Sequence, residues 1–260
     1  MSAATRKDRC FAMGIHWAPP NVTQQEFVAK ADLLIDRFLA LPVCRKNIVK
    51  YEALYPDDRA AEYIKALGLQ PLPPCILLRL ECESQDNLAE IARDEAGKQI
   101  AAQGSDFGWG ASTWRFIAEV TTRVDVQPRS PGERHVHGVI LLKLQHEVST
   151  AAEFHATLNT LADSFVAFPV CQKNLLKHTI WQGNSALQED SIKGQDFGSL
   201  VALMVELANW DDLSEIAEDP AVRSLISKDL FGAFPAAVQP EVWGFSAGGI
   251  TKIDGYETDN

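Results

Sequence analysis

Between Cys10 and Trp17 the side chains alternate, with Phe11, Met13, Ile15 and Trp17 on one face and Cys10, Ala12, Gly14 and His16 on the other. A period of two predicts a strand, here with one bulky face and one nearly bare one. Pro19-Pro20 ends it and the period changes. Phe27, Ala31, Leu34 and Phe38 recur at four-three-four spacing, the buried stripe of a helix reaching about Leu39. Thr23-Gln24-Gln25-Glu26 opens that helix as a capping box, its hydroxyl and carboxylate meeting free backbone N–H groups.

The same order returns downstream. A strand from Gly138 to Leu144 precedes a capping box at Thr150-Ala151-Ala152-Glu153 and a stripe of Phe154, Leu158, Leu161 and Phe165. Each stripe residue lies 127 after its partner, as in 154 − 27 = 127. Leu41 to Lys50 and Phe168 to Lys177 share six of ten residues at that offset, including Pro-Val-Cys-x-Lys-Asn. The chain is an internal duplication. Because proline breaks helices, the residues after Pro42 and Pro169 are expected to alternate as second strands through Glu52 and Trp181.

Polar connections follow: Tyr55 to Pro74, with a short helix around Arg59 to Leu67, and Gln182 to Gly198. Third strands are expected at Cys75 to Cys82 and Ser199 to Leu207. Second helices begin in Leu88 to Asp94 and Leu213 to Asp219, and fourth strands at Trp114-Arg115-Phe116 and Trp243-Gly244-Phe245. Residues 9–125 form the first repeat, 126–134 a linker broken by Pro128 and Pro131-Gly132, and 135–254 the second repeat. Each repeat reads β-α-β-β-α-β, the ferredoxin-like pattern of an α+β fold. Such a unit has one antiparallel sheet with both helices on one side, so two repeats are expected to pack sheet to sheet as an intramolecular α/β barrel.

Composition narrows the partners. With 260 residues and 46% hydrophobic content the chain buries a substantial core, and its net charge of −11 repels nucleic-acid backbones and anionic membranes alike. A small neutral or apolar ligand is the expected partner, with no nucleic acid and no membrane. Apolar runs such as Val139 to Leu142 are far short of the ~20 residues a bilayer requires, and Met1 to Arg9 lacks the apolar core of a secretion signal. Five cysteines with no CxxC pattern fit a reducing compartment, so the expected location is cytoplasmic. Exposed sheet edges add a homodimer to the expected partners.

The duplicated pattern, together with Glu218-Asp219-Pro220-Ala221-Val222 and Asp229-Leu230-Phe231-Gly232-Ala233-Phe234-Pro235, resembles the dimeric α/β-barrel superfamily in tandem-fused form, in its EthD-type branch. The resemblance covers nearly the whole chain. It implies a small-molecule pocket between sheet and helices, used among relatives for cofactor-free cyclisation, dehydration or isomerisation, for cofactor-free oxygenation of aromatic rings, and in some branches for haem chemistry. Plant polyketide cyclases of the superfamily place a catalytic His where this chain has Gly97 and Val222, so that mechanism does not carry over. No histidine stands in a haem-ligand context, and the expected cofactor is none.

Tyr51 and His178 are equivalent (178 − 51 = 127) and share an expected strand face with Asn47 and Asn174. If that face lines the pocket, each repeat pairs an amide that binds a carbonyl or hydroxyl with a group that moves a proton; otherwise the Lys-Asn repeat shapes a strand end or bulge, and Tyr51 and His178 merely cover the sheet. His16 adds a third candidate catalytic group beside small residues that leave room for a ligand, although close helix approach, with His16 as a strand-end polar group, is the more ordinary account of them. Its counterpart at the common offset is Lys143, which makes the repeats chemically unequal. Trp17, Trp114 and Trp181 are candidate pocket walls, with core packing as their ordinary role. His135 and His137 share a strand face but have no evident third ligand, so no metal is expected. The expected function is a cofactor-independent lyase, cyclase, dehydratase or isomerase acting on a small apolar or aromatic metabolite. A cofactor-free monooxygenase of phenols and a non-catalytic ligand-binding or stress-associated protein are the alternatives.

Overall fold

A computed structural model describes residues 4–126, 135–143, 151–184, 200–234 and 240–255. Thr150 of the second capping box, most of the linker and most of the Gln182 to Gly198 connection lie outside them. The first repeat contains β1 (Ala4–Trp17), α1 (Gln24–Leu39), α2 (Pro42–Asn47), β2 (Ile48–Asp57), α3 (Ala61–Ala66), β3 (Gln70–Pro71), β4 (Cys75–Cys82), α4 (Gln85–Arg93), α5 (Glu95–Gln103) and β5 (Thr113–Asp125). The second contains β6 (Val136–Lys143), α6 (Ala151–Ala167), α7 (Pro169–Asn174), β7 (Leu175–Gly183), β8 (Leu200–Leu207), α8 (Trp210–Glu218), α9 (Pro220–Ser224), a π-helical turn over Leu225–Leu230, and β9 (Glu241–Asp254).

Local signals set the first helix. Thr23 accepts from the Glu26 backbone N–H while the Glu26 carboxylate accepts from the Thr23 N–H, closing the capping box at the expected residues. The buried face is wider than the expected stripe: Phe27, Ala31 and Leu34 are joined by Ile35 and Leu39, whereas Phe38 is only half-buried. Replacing Thr23 by alanine leaves the Glu26 N–H to water, with an expected cost of about 1 kcal/mol. Urea unfolding of Thr23→Ala measures it; an unchanged midpoint would show that the cap contributes nothing.

The repeated Pro-Val-Cys-x-Lys-Asn is not the entry of a strand. It forms a short helix, α2 or α7, with proline at the first turn, where its missing N–H would have had no partner. The strands start only after Asn47 and Asn174. Lys46 Nζ lies 2.8 Å from Glu90 in α4, and Lys173 Nζ lies 2.8 Å from Glu215 in α8, so both copies tie the short helix to the next long one.

The chain forms two compact units. The N-terminal unit comprises Lys7–Pro56, Pro73–Ala118 and the end of β9 from Gly249. Its strands run β5-β1-β4-β2, with β9 against the far edge of β2. The C-terminal unit comprises Asp57–Leu72 and Glu119–Gly248, with strands β7-β8-β6-β9-β3 and β5 beside β7. Within each repeat the strand order is fourth-first-third-second, the ferredoxin-like arrangement, and the fold class is α+β. The connection after β2, including α3 and β3, therefore belongs to the C-terminal unit.

Strand register corrects one sequence equivalence. Cys10 pairs with Cys82 and Val136 pairs with Leu207, so the first strands align at an offset of 126 (136 − 10), one less than the helices that follow. His16 therefore corresponds to Leu142, and Lys143 to Trp17. Because side chains alternate, the slip moves every residue to the other face.

Candidate functional site

A cavity of about 110 Å³ opens in the C-terminal unit. From the sheet, Gly138 and Ile140 of β6, Leu203 and Val205 of β8, and Ser246 of β9 line it. Opposite them stand Leu161, Ala162 and Phe165 of α6, with Leu213 and Ile216 of α8. Val222 of α9 and Leu225, Ile226 and Leu230 of the π-helical turn add a further wall. Such one-residue expansions of a helix recur at functional sites.

The remaining wall comes from the first repeat's connection, through Tyr63, Ile64, Leu67 and Leu69. Several contacts hold that segment in place. Short β3 pairs in parallel with β9, Gln70 facing Trp243 and Pro71 facing Gly244. A Cβ at Gly244 would stand 2.7 Å from Leu69 Cδ1, so glycine permits the close approach. Ser246 Oγ donates to the Asp57 carbonyl at 2.8 Å, and the Arg59 guanidinium lies 4.1 Å from the Trp210 ring centre.

His178, on β7, is the ionisable side chain of the sequence reading that reaches this cavity. It is 3% exposed, its ring centre is 5.6 Å from that of Phe165, and its Nδ1 has no hydrogen-bond partner in the protein. Burial pushes its pKa down to about 3, with the Arg123 charge assisting and Asp163 opposing. Arg123 is itself buried, donating from Nε to Asp163 at 2.7 Å and from Nη2 to Asn159 Oδ1 at 2.7 Å. At neutral pH His178 is therefore an uncharged imidazole, one nitrogen a donor and the other an acceptor. Among the described residues no Lys, Arg, Asp or Glu lines the cavity.

The other candidates are dispersed. Tyr51 is buried in the N-terminal unit, and burial pushes its phenol far above the usual range. His16 stacks on Trp109 with ring centres 3.9 Å apart and planes 9° from parallel, and its Nδ1 lies 3.2 Å from Thr113 Oγ1. Burial first, and Arg115 second, hold its pKa down at about 3. The glycine-rich loop before β5 makes this stack, because a Cβ at Gly104 would lie 2.4 Å from Trp109 Cβ. Trp17 and Trp114 meet edge to face at 5.2 Å. Lys143 ends β6 opposite Leu200 and Glu241.

Trp181 is buried three residues beyond His178, hence on the opposite face of β7, with its Nε1 donating to Thr179 Oγ1 at 3.2 Å. Asn47 and Asn174 close the short helices instead of standing on strands. Asn47 donates to the Val43 carbonyl and accepts from Asn87, and Asn174 donates to Glu215. Neither lines the cavity. Cys44 and Cys171 are buried, and burial, aided by Asp94 and Asp219 respectively, pushes each thiol up to about 12, leaving negligible thiolate at neutral pH. His135 Nδ1 meets Glu206 at 2.5 Å, but no cluster of three metal-ligating side chains occurs among the described residues.

The cavity follows from differences between the copies that the periodic pattern hides. Ala162 stands where the first repeat has Ile35, which is 2% exposed, and His178 stands where it has Tyr51. Val205 replaces Leu80, and in the corrected register Gly138 replaces Ala12. Ala162 lies one residue past the predicted stripe. Comparing stripe neighbours between copies for lost volume is the signal that would have found it.

No family model matches the chain, and no curated protein matches it in sequence. Among solved structures it is similar to an anthrone oxidase-like protein, with a TM-score of 0.64 and 12% identity over 100% of both chains. It is also similar to a candidate monooxygenase from Fusobacterium nucleatum subsp. nucleatum, with a TM-score of 0.53 and 8% identity over 95% of this chain and 98% of that one. At such identities the likeness establishes the fold alone: this chain has a ferredoxin-like α+β fold, shared with these two structures.

Proposed function

We propose that the protein is an enzyme acting on a small apolar or aromatic metabolite, with the C-terminal cavity as its active site and His178 as its proton acceptor. The carrying observation is a cavity walled almost wholly by hydrocarbon side chains, with the buried His178 among its lining residues. The EthD-type resemblance gives further support, since Val222 and Leu230 of that stretch line the same cavity.

The chemistry is cofactor-independent general acid/base catalysis of the lyase, cyclase, dehydratase or isomerase type. His178 accepts a proton from an acidic C–H or O–H group only as the substrate anion forms beside it, since burial and the Arg123 charge make the free imidazole a weak base. With a pKa of about 3 the imidazole is fully in its basic form from pH 5 to 8, so its own titration produces no change in rate over that range. Once a substrate is identified, His178→Gln keeps a hydrogen-bonding group but removes the base, and turnover is expected to fall roughly 10²–10⁴-fold. Turnover within a factor of three of wild type would remove His178 from the chemistry.

A second reading is cofactor-free monooxygenation of a phenol, favoured by the fold shared with the candidate monooxygenase. Oxygen consumption with a phenolic substrate separates it from the first. Tight ligand binding with neither reaction would assign the cavity to a non-catalytic binding protein.

A further inference from the structure

The walls of the C-terminal cavity are held with unequal firmness. Helix α6 buries Phe154, Leu158 and Ala162, α8 buries Leu213, Ile216 and Ala217, and α9 buries Val222. The π-helical turn buries Ile226 and Leu230. Helix α3 buries no side chain, although its Tyr63 and Ile64 line the cavity. It has only six residues, and isolated helices shorter than ~12–15 residues are marginal in water. Because buried apolar contacts set the cost of local opening, α3 is the helical wall that opens most easily.

Both ends of the segment that carries α3 are pinned. At one end the Asp57 carbonyl accepts from Ser246 Oγ at 2.8 Å. At the other, Leu67 and Leu69 are buried, Leu69 packs against Gly244, and β3 pairs with β9. Gly68 between those leucines has a φ of 76°, the left-handed turn that ends the helix, and the Leu69 N–H donates to the Ile64 carbonyl at 3.2 Å. Between the pinned ends, Arg59 fastens the segment to α8. Its guanidinium lies 4.1 Å from the Trp210 ring centre and donates to the Asp57 carboxylate from Nε at 3.0 Å and from Nη2 at 2.8 Å. We infer that residues 58–66 form a door to the cavity, which opens between fixed ends at Asp57 and Gly68 when Arg59 leaves Trp210. The door controls entry to the cavity proposed as the active site, and it does so whether that cavity is catalytic or only binds.

A thiol placed inside the cavity reads the door without any substrate. Ala162→Cys on α6 and Leu203→Cys on β8 each supply one, so that either serves if the other fails to fold. Methyl methanethiosulfonate, a small neutral reagent, converts the thiolate to a methyl disulfide and releases methanesulfinate. The five native thiols are buried, and peptide mass mapping separates their labelling from that of the new one. Any raised thiol pKa is common to both members of each comparison and cancels in the ratio. Replacing the 62% exposed Arg59 side chain in Arg59→Ala is expected to speed labelling of both reporters roughly 2- to 5-fold, with Arg59→Lys in between. Amide hydrogen exchange in α6 and α8 should stay unchanged, which marks the gain as local opening rather than unfolding. Labelling at the rate of a fully exposed thiol would show a cavity that needs no door. Labelling no faster than that of the buried Cys171 would show that only unfolding reaches it, and an unchanged rate in Arg59→Ala would place the entrance at another wall. Each of these results overturns the inference. Labelling as expected with undiminished turnover in His178→Gln would refute only the catalytic reading.

Discussion

Lowering the pH from 6.5 to 4.5 is expected to cost the fold about 5 kcal/mol through two histidines alone. His16 and His178 are both buried as neutral imidazoles, with burial holding each pKa down at about 3. In the unfolded chain the same side chains titrate near 6.5. The unfolded state therefore binds more protons than the folded state below that value, and stability rises with pH. Their contribution is complete above about pH 6.5 and is lost at about 1.4 kcal/mol per pH unit for each histidine as pH falls toward 3. Paired carboxylates act in a lower window: Glu90 beside Lys46 and Glu215 beside Lys173 titrate below 4.5 in the fold, so their stabilisation is lost only in stronger acid. Set against the 5–15 kcal/mol of an ordinary fold, the histidine term brings unfolding close to pH 4.5. Urea unfolding at pH 6.5, 5.5 and 4.5 measures the slope, and His16→Gln and His178→Gln should each remove about half of it. Equal slopes in wild type and both variants would mean that neither imidazole is kept uncharged by the fold.

Much of the fold is legible in the sequence because its signals are local or are stated twice. The capping box of α1 needs only Thr23 and Glu26, and β4 spans the expected Cys75–Cys82. The repeated motif was visible but its conformation was not. Six residues from Pro42 to Asn47 are too short for helical periodicity to register, and proline is tolerated in a first turn. What holds the short helix is distant in sequence: Lys46 reaches Glu90 and Asn47 reaches Asn87. The exposed lysine pairs contribute little on their own, so the buried asparagines carry more of this tie.

The site was less legible for two physical reasons. The first strands share no motif, so their alignment inherited the helix offset and slipped by one residue, assigning Lys143 rather than Leu142 to His16. The α3 connection also carries no mark of which unit it covers; a short apolar face identifies a buried helix without identifying what buries it. His178 was recoverable because it is a chemical difference between otherwise matching strands. The space beside it was not, since a cavity is a sum over side chains from four strands, four helices, the π-helical turn and a connection.

Exchanging Ile35 and Ala162 between the repeats is expected to move stability and turnover in opposite directions. Ile35 is 2% exposed on the buried face of α1, and Ile35→Ala should cost about 2–5 kcal/mol through lost burial and the void left behind. Ala162 is 4% exposed on the equivalent face of α6, but it borders a cavity of about 110 Å³. Ala162→Ile places three more carbons in that space, worth up to about 2 kcal/mol at ~0.8 kcal/mol each and offset in part by rotamer strain. The variant should unfold at the same or higher urea concentration, yet lose any turnover at the site. Such a trade is expected where a fold leaves apolar volume open for a ligand instead of filling it. Strong destabilisation by Ala162→Ile would show that the volume beside Ala162 is already filled. Unimpaired turnover would place the chemistry elsewhere, whereas a more stable protein that no longer turns over its substrate ties the missing side-chain volume of the second repeat to its function.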